Sequence, residues 1–522
     1  MKKKDKQKRF RQTVTSGMFC FLLALSGLFL FAQKSKKPSP PNIVYILADD
    51  MGYGDISANN PGSKIRTKHI DRLAKQGMRF TDVHTTSSVC TPSRYSILTG
   101  RYPWRSRLPV GVLRGYSRTL IEEGRSTVAN LLKEANYHTG VVGKWHLGLD
   151  WVPKDAFKDS LSNEMYGISR EMNPDQIDFT RAPVRGPLTQ GFDYSYILPA
   201  SLDMPPYSYL ENDMLTELPT ASTPGNKLTT GYTGPFWRAG LMGPSFDFYD
   251  VLPTFTQKAT EFIKRQSGNK NPFFLYFPMP APHTPWVPTN EFTGKSGAGE
   301  YGDYSLMVDD AVGKILKVLD SMGFSKNTMV IFTSDNGPYW RQDFVEKFQH
   351  KSAGEYRGMK GDAFEGGHRV PFIVRYPGKV KPGTTTDVTT TLANLVATCS
   401  DLLGNHAPAL QPEDSYSILP VLTGKVTRIK EQPAVIHSSS IGFYAIRKGP
   451  WKLITSLGSG GFSVPKEIQP KAGEPTGQLY NLHTDIHEDR NVYNQYPDKV
   501  KELTELLQKI KHSKTRLIQD PK

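Results

Sequence analysis

Apolar residues recur in two rhythms along this chain of 522 residues. Short unbroken runs at Asn42–Leu47 (NIVYIL), Pro272–Phe277 (PFFLYF), Thr328–Phe332 (TMVIF) and Pro371–Tyr376 (PFIVRY) predict strands buried on both faces, with a shorter one at Thr139–Val142. Helical spacing lies between them. Lys68–Gln76 carries Ile70, Leu73 and Ala74 and is stopped by Gly77; Ser126 or Thr127 caps VANLLKEANY; Tyr304–Leu319 carries Leu306, Val308, Ala311, Val312, Ile315 and Leu316. The alternation predicts an α/β fold whose mixed, mainly parallel central sheet is sandwiched by helices. From about Trp151 to Leu252 the rhythm is lost, and Pro, Gly, Tyr and Asp dominate, as in long loops over a scaffold. From about Gln432 the pattern changes again. AVIHSSSIGFYAIRKGPWKLIT predicts short antiparallel strands, followed by a Gly-rich loop (Gly458–Phe462) and a helix bearing Val500, Leu503, Leu506, Leu507 and Ile510. These make a smaller C-terminal α+β subdomain. The expected division is a signal peptide at 1–32, a linker at 33–41, a catalytic domain at 42–426 and a C-terminal subdomain at 427–522.

The start of the chain changes the picture of where the protein works. A basic run, MKKKDKQKRFRQ, precedes a short apolar stretch ending at Ala32 and a polar break, the layout of a secretory leader. The stretch is short for a membrane span; an uncleaved anchor is the alternative. The expectation is export to the periplasm or the medium, with no stable membrane insertion after cleavage. Without the leader the formal charge falls from +15 to about +9, which suits a polyanionic partner without demanding one. No nucleic-acid motif is present, so no nucleic-acid partner is expected. Of three cysteines, Cys20 leaves with the leader, and Cys399 shares an apolar helical stripe with Leu392, Leu395, Val396, Leu402 and Leu403. Cys90 is left without a disulfide mate in a compartment where cysteines usually pair. It is either inert or chemically used.

Ligand sites in open α/β sheets form beyond the carboxyl ends of the strands. NIVYIL runs into Asp49-Asp50, the Val141–Val142 strand into Lys144 and His146, PFFLYF into His283, and TMVIF into Asp335-Asn336. Each alone reads as a turn or a cap; together, at one sheet edge, they read as a site. Asp49, Asp50, Asp335 and Asn336 form an all-oxygen set suited to Ca²⁺ or Mg²⁺, with Ca²⁺ expected outside the cytoplasm. The set needs one more oxygen, from substrate or from a modified Cys90. Pro92 places Cys90 at a helix N-terminus, where N–H groups attract anions. Arg94 lies one turn on, and Lys144 and Lys360 add charge from elsewhere. The ensemble suits a tetrahedral oxyanion.

Cys90-Thr-Pro-Ser-Arg94, with Tyr-Ser-Ile-Leu-Thr-Gly-Arg after it, resembles the signature of the type I, formylglycine-dependent sulfatases. ADDMGYGD, GKWHLG, APHTP, SDNG, RGMKGDAFEGGHRVPF and AIRKGPWKLI resemble further segments of that family, in its order, over about Asn42 to Leu507. The resemblance implies a fold related to alkaline phosphatase. It implies that a formylglycine-generating enzyme oxidises Cys90 to formylglycine, whose hydrated aldehyde attacks sulfur and completes the ligands of one Ca²⁺. It implies that Arg94 stabilises the ionised diol, that Lys144, Lys360 and the metal hold the sulfate, that His283 protonates the leaving oxygen, and that His146 deprotonates the second hydroxyl. Family register favours Lys360 over the nearby Lys351, and leaves His368 and Arg369 outside the catalytic set.

The same resemblance makes the substrate a sulfated carbohydrate, attacked at chain ends, with galactose-type units a guess from overall likeness. Trp151, Tyr194, Tyr207 and Trp237 are candidates to stack on sugar rings or merely to pack the loops. Two rivals remain at this stage: a phosphatase or phosphodiesterase of the same superfamily, and a non-catalytic glycan-binding protein should Cys90 stay a thiol.

Overall fold

The computed structural model describes residues 40–157, 171–226, 234, 236–404, 413–427 and 433–513. The leader, Cys20 and all but the last residues of the expected linker lie outside the described residues. From Pro41 onward the chain forms one compact unit.

Its centre is a ten-stranded sheet. In chain order the strands are β1 (Asn42–Ala48), β2 (Met78–Phe80), β3 (His138–Lys144), β4 (Tyr194–Leu198), β5 (Leu210–Glu211), β6 (Met214–Leu215), β7 (Phe273–Pro278), β8 (Thr328–Ser334), β9 (Phe372–Arg375) and β10 (Thr384–Thr386). Their spatial order is β10-β2-β9-β8-β1-β7-β3-β4-β5-β6. The five middle strands, β8-β1-β7-β3-β4, are mutually parallel; β9 and β5 pair antiparallel at either side. Ile43 of β1 stands opposite Phe274 of β7 and Met329 of β8.

Strand alternation sorts the cores. Ile43, Tyr45 and Leu47 face one core, closed by α2 (Cys90–Thr99), α3 (Val128–Glu134) and α6 (Leu395–Leu402). Val44, Ile46 and Ala48 face the other, closed by α1 (Lys68–Gln76), α4 (Val251–Arg265) and α5 (Gly299–Ser321). Both rows are apolar because both faces are covered, which is why β1 reads as an unbroken run. Cys399 is fully buried in the first core. Thr127, not Ser126, caps α3, its hydroxyl accepting from Ala129 and Asn130 N–H at 3.1 and 3.2 Å.

Three readings need correction. The helix expected from Tyr304 begins at Gly299. Tyr194–Leu198, expected among loops, is a strand of the central sheet: its five residues are too few to show a rhythm amid Tyr and Pro. Trp151 and Tyr207 are buried, the Trp151 indole donating to Gly115 C=O, so neither is free to stack on a sugar.

The C-terminal strands β11 (Val435–Ser438), β12 (Tyr444–Lys448), β13 (Trp451–Ile454) and β14 (Gln478–Asn481) form an antiparallel sheet covered by α7 (Pro497–His512). Leu503, Leu507 and Ile510 of α7 pack on Ile436, Ile446, Leu453 and Leu479. This sheet also braces the segment leading to Cys90: Ser438 exchanges backbone hydrogen bonds with Thr86 and Ser88. Among the described residues no helix is long and apolar enough to cross a membrane.

Candidate active site

The carboxyl ends of β1, β3, β7 and β8 meet at one place, and the residues that follow them are buried there. Two of these residues turn the chain through the left-handed region that side chains rarely adopt: Asp50 at φ 66° and His146 at φ 58°. Backbone strain of this kind persists only where its surroundings fix it.

Charge alternates through the cluster. Arg94, on the second turn of α2, reaches across to the residue just after β8, where Nε and Nη2 donate to Asp335 Oδ2 at 2.9 and 2.7 Å. Its Nη1 donates to the Lys144 carbonyl at 2.9 Å. The guanidinium therefore turns to these partners rather than back along its own helix. Lys144 Nζ donates to Asp49 Oδ2 at 2.5 Å and to Ser201 Oγ at 3.1 Å. Lys360 Nζ lies 2.8 Å from the Asp50 carboxylate, whereas Lys351 stands exposed beside Glu355. Of the two lysines, Lys360 is the one that reaches the cluster.

Asn336 Nδ2 donates to Asp50 Oδ1 at 2.6 Å, and the Asp50 amide donates to Asp335 Oδ1 at 3.3 Å. Two oxygens in this set, Asp49 Oδ1 and Asn336 Oδ1, are buried with no hydrogen-bond partner. An unsatisfied buried acceptor costs about 1–3 kcal/mol. Hard oxygen donors left open in this way fit a divalent cation such as Ca²⁺. Ligand atoms of Asp49, Asp50, Cys90 and His283 all lie within 4.8 Å of one another.

Burial opposes ionisation of Asp49, but Lys144, His283 and Arg94 outweigh it and hold the group well below the usual carboxylate range. For Asp335, burial and the Asp49 charge prevail over Arg94 and Lys144 and push it up to about 7. Burial pushes the Cys90 thiol up to about 11, leaving a poor nucleophile at neutral pH.

The two histidines differ in what they present. His146 Nε2 donates to the Leu113 carbonyl at 2.7 Å, and its Nδ1 is buried without a partner. The carbonyl can only accept, so Nδ1 carries the free lone pair. Burial, with Lys144 and Arg94 close by, keeps this ring neutral. His283 Nδ1 donates to the Thr284 carbonyl at 2.5 Å and lies 3.3 Å from Ser201 Oγ, while Nε2 points toward Asp50 Oδ2 at 3.7 Å.

All of the expected residues, Asp49, Asp50, Cys90, Arg94, Lys144, His146, His283, Asp335, Asn336 and Lys360, thus lie in one buried cluster. Sequence reasoning missed two neighbours, Ser201 and Asp203. Asp203 is buried, is clamped by Arg238 on one oxygen, and has its other oxygen 4.0 Å from His283 Nδ1. The strand that delivers them, β4, gave no rhythm to find them by. His368 and Arg369 lie outside the cluster, in a separate buried network with His84, His437, Asp82, Glu365 and Lys452 under the C-terminal sheet. His368 and His437 stack there at 3.3 Å between ring centroids, 27° between planes. In-plane lone pairs on two such rings cannot converge on one ion.

A family profile described as Sulfatase matches residues 41–405. An N-acetylgalactosamine-6-O-sulfatase of Bacteroides thetaiotaomicron is 35% identical over 513 residues, 92% of this chain and 94% of that protein. Human arylsulfatase A is 32% identical over 83% of this chain and 76% of its own length. A solved Bacteroides thetaiotaomicron structure, described under the metabolism of multiple glycosaminoglycans, superposes with a TM-score of 0.76 at 34% identity, covering 91% of this chain and all of the other.

Proposed function

The chain belongs to the sulfatase family and is a sulfuric ester hydrolase, and from that premise we propose that it removes sulfate from sulfated carbohydrate, with 6-sulfated N-acetylgalactosamine at chain ends as the preferred unit. The observation that carries the reading is the buried cluster in which three cations, three carboxylates and two histidines surround residue 90. The 35% identity to an N-acetylgalactosamine-6-O-sulfatase supports the choice of sugar.

Residue 90 acts as formylglycine, made by a formylglycine-generating enzyme, and its hydrate supplies the hydroxyl nucleophile; the thiol, pushed up to about 11, would serve poorly. Asp49, Asp50, Asp335, Asn336 and the side chain of residue 90 would hold one Ca²⁺, which would supply positive charge against the sulfate oxygens. The chain's own residues do the rest. Lys144 and Lys360 exchange part of their hold on Asp49 and Asp50 for the anionic oxygens of the sulfate group. Arg94, fixed by Asp335 and the Lys144 carbonyl, keeps its charge beside residue 90. His283 Nε2 delivers a proton to the sugar oxygen that departs; the incoming sulfate opposes the burial and Lys360 that otherwise lower this ring's pKa. His146 takes a proton at Nδ1, the nitrogen that the Leu113 hydrogen bond leaves free. Burial of the whole cluster excludes water, which strengthens each of these charge contacts.

The same proposal includes the boundaries given above, with a catalytic portion at 42–426, a C-terminal subdomain at 427–522, and export directed by residues 1–32. Mass spectrometry of the Cys90 peptide from natively exported protein tests the nucleophile: conversion to formylglycine removes H₂S and adds one oxygen, and an unmodified thiol in active protein overturns it. Sulfate release from internal units of intact polymer, with none from terminal units, overturns the chain-end preference.

A further inference from the structure

The Gly-rich loop singled out in the sequence, Gly458–Phe462, finds no part in the chemistry above, yet it is built against the segment that carries Lys360. Gly461 lies so close that a Cβ there would stand 2.2 Å from the Gly361 carbonyl carbon. Ala363 N–H donates to Ser459 C=O at 2.7 Å. The Asp362 carboxylate accepts from Phe462 N–H at 2.8 Å, Ser463 N–H at 3.0 Å and the Ser463 hydroxyl at 2.5 Å. So fixed, Phe462 covers Gly361, meets Tyr339 edge-on with centroids 5.8 Å apart, and still leaves 44% of itself exposed. Tyr339 comes from the other side, three residues past Asn336.

The exposed ring stands beside a part of the cluster that keeps some exposure. Asp49, Arg94, Lys144 and Asp335 side chains are fully buried, while Lys360 and His283 retain 9% and 8% exposure. Lys360 and His283 thus mark the less buried side of the cluster, and Phe462 stands on Gly361, the residue next to Lys360.

We propose that Phe462, propped by Tyr339, is a stacking platform for the sugar unit adjoining the sulfated one, and so sets a preference for oligosaccharide over monosaccharide. The inference rests on the carbohydrate reading above. A pyranose presents a face of C–H groups, which suits the electron-rich face of an aromatic ring. The loop's hydrogen bonds fix that ring in advance, so little ordering cost falls on binding.

The test compares a sulfated monosaccharide with a disaccharide ending in the same sulfated unit. Phe462→Ala should raise the disaccharide KM three- to tenfold relative to the monosaccharide KM, with disaccharide kcat changed less than twofold. Phe462→Trp should keep the parent's ratio. Calorimetry of both sugars on Cys90→Ala and Cys90→Ala/Phe462→Ala proteins reads the same ratio without turnover. Absence of turnover in the parent counts against the catalytic reading alone. An affinity ratio that Phe462→Ala leaves unchanged, in a protein of parental melting temperature, overturns the platform.

Discussion

Arg94→Met removes the one guanidinium in the buried cluster while keeping a side chain of similar reach. In the parent, Arg94 is fully buried, satisfies Asp335 Oδ2 twice and caps the Lys144 carbonyl. The variant leaves that carboxylate without its pair, a loss of about 3–5 kcal/mol when one partner of a buried pair is removed. The orphaned carbonyl adds about 1–3 kcal/mol. Protonation of Asp335 limits the total, and that gives the prediction its signature. In the parent, burial and the Asp49 charge push Asp335 up to about 7 from an ordinary carboxyl value of 3.8. The folded state then binds the extra proton between these values, so the Asp335 contribution to the parent's stability falls as pH rises from about 4 to 7 and is level above. Without Arg94 the folded pKa rises further, and in the variant this contribution goes on falling by about 1.4 kcal/mol per pH unit above 7. Urea unfolding in EDTA at pH 6, 7 and 8 should show a deficit of several kcal/mol at pH 7, larger at pH 8, and partly restored by excess Ca²⁺. A deficit below about 1 kcal/mol, or one that is equal at pH 6 and 8, refutes the claim that Arg94 holds the buried charge.

Gly337→Ala would bring a Cβ within 1.9 Å of the Gly366 carbonyl; it should dislodge the Asp335-Asn336 tip, cost about 1–3 kcal/mol or more, and abolish Ca²⁺-dependent stabilisation in thermal melts. Buried Asp213, far from the cluster in sequence, is pushed up to about 6 by burial, so its contribution to the parent's stability falls as pH rises from about 4 to 6. Asp213→Asn should therefore gain up to about 3 kcal/mol at pH 7.5 and little at pH 4, read by urea midpoints. His283→Ala should slow sulfated sugars about 10²–10⁴-fold yet slow 4-nitrophenyl sulfate far less, because that leaving group needs no proton; equal losses on both would remove His283 from the role of acid.

What could be read from the chain follows from how locally each feature is encoded. Continuous apolar runs marked the inner strands because both faces of β1, β7 and β8 are covered, and the polar residues at their ends named Asp49, Asp50, His283 and Asp335. Cys90 and Arg94 were legible through Pro92 and a short motif. The Lys360 choice came from family register, since nothing local separates it from Lys351; only the fold shows that Lys360 reaches Asp50 while Lys351 stays in water. Strand β4 was hidden by its brevity, and with it went Ser201 and Asp203, whose meaning lies in contacts to Lys144, His283 and Arg238 across the sheet. Trp151 and Tyr207 drop out as stacking candidates for a similar reason: whether Trp151 faces solvent or Gly115 is decided by long-range packing, not by its neighbours in sequence.

The most direct test is inorganic sulfate released from N-acetylgalactosamine 6-sulfate by natively matured protein carrying the aldehyde at position 90. Catalytic release that Cys90→Ala abolishes is the predicted result; matured, Ca²⁺-loaded protein that frees no sulfate from this or any other sulfated sugar would contradict the account.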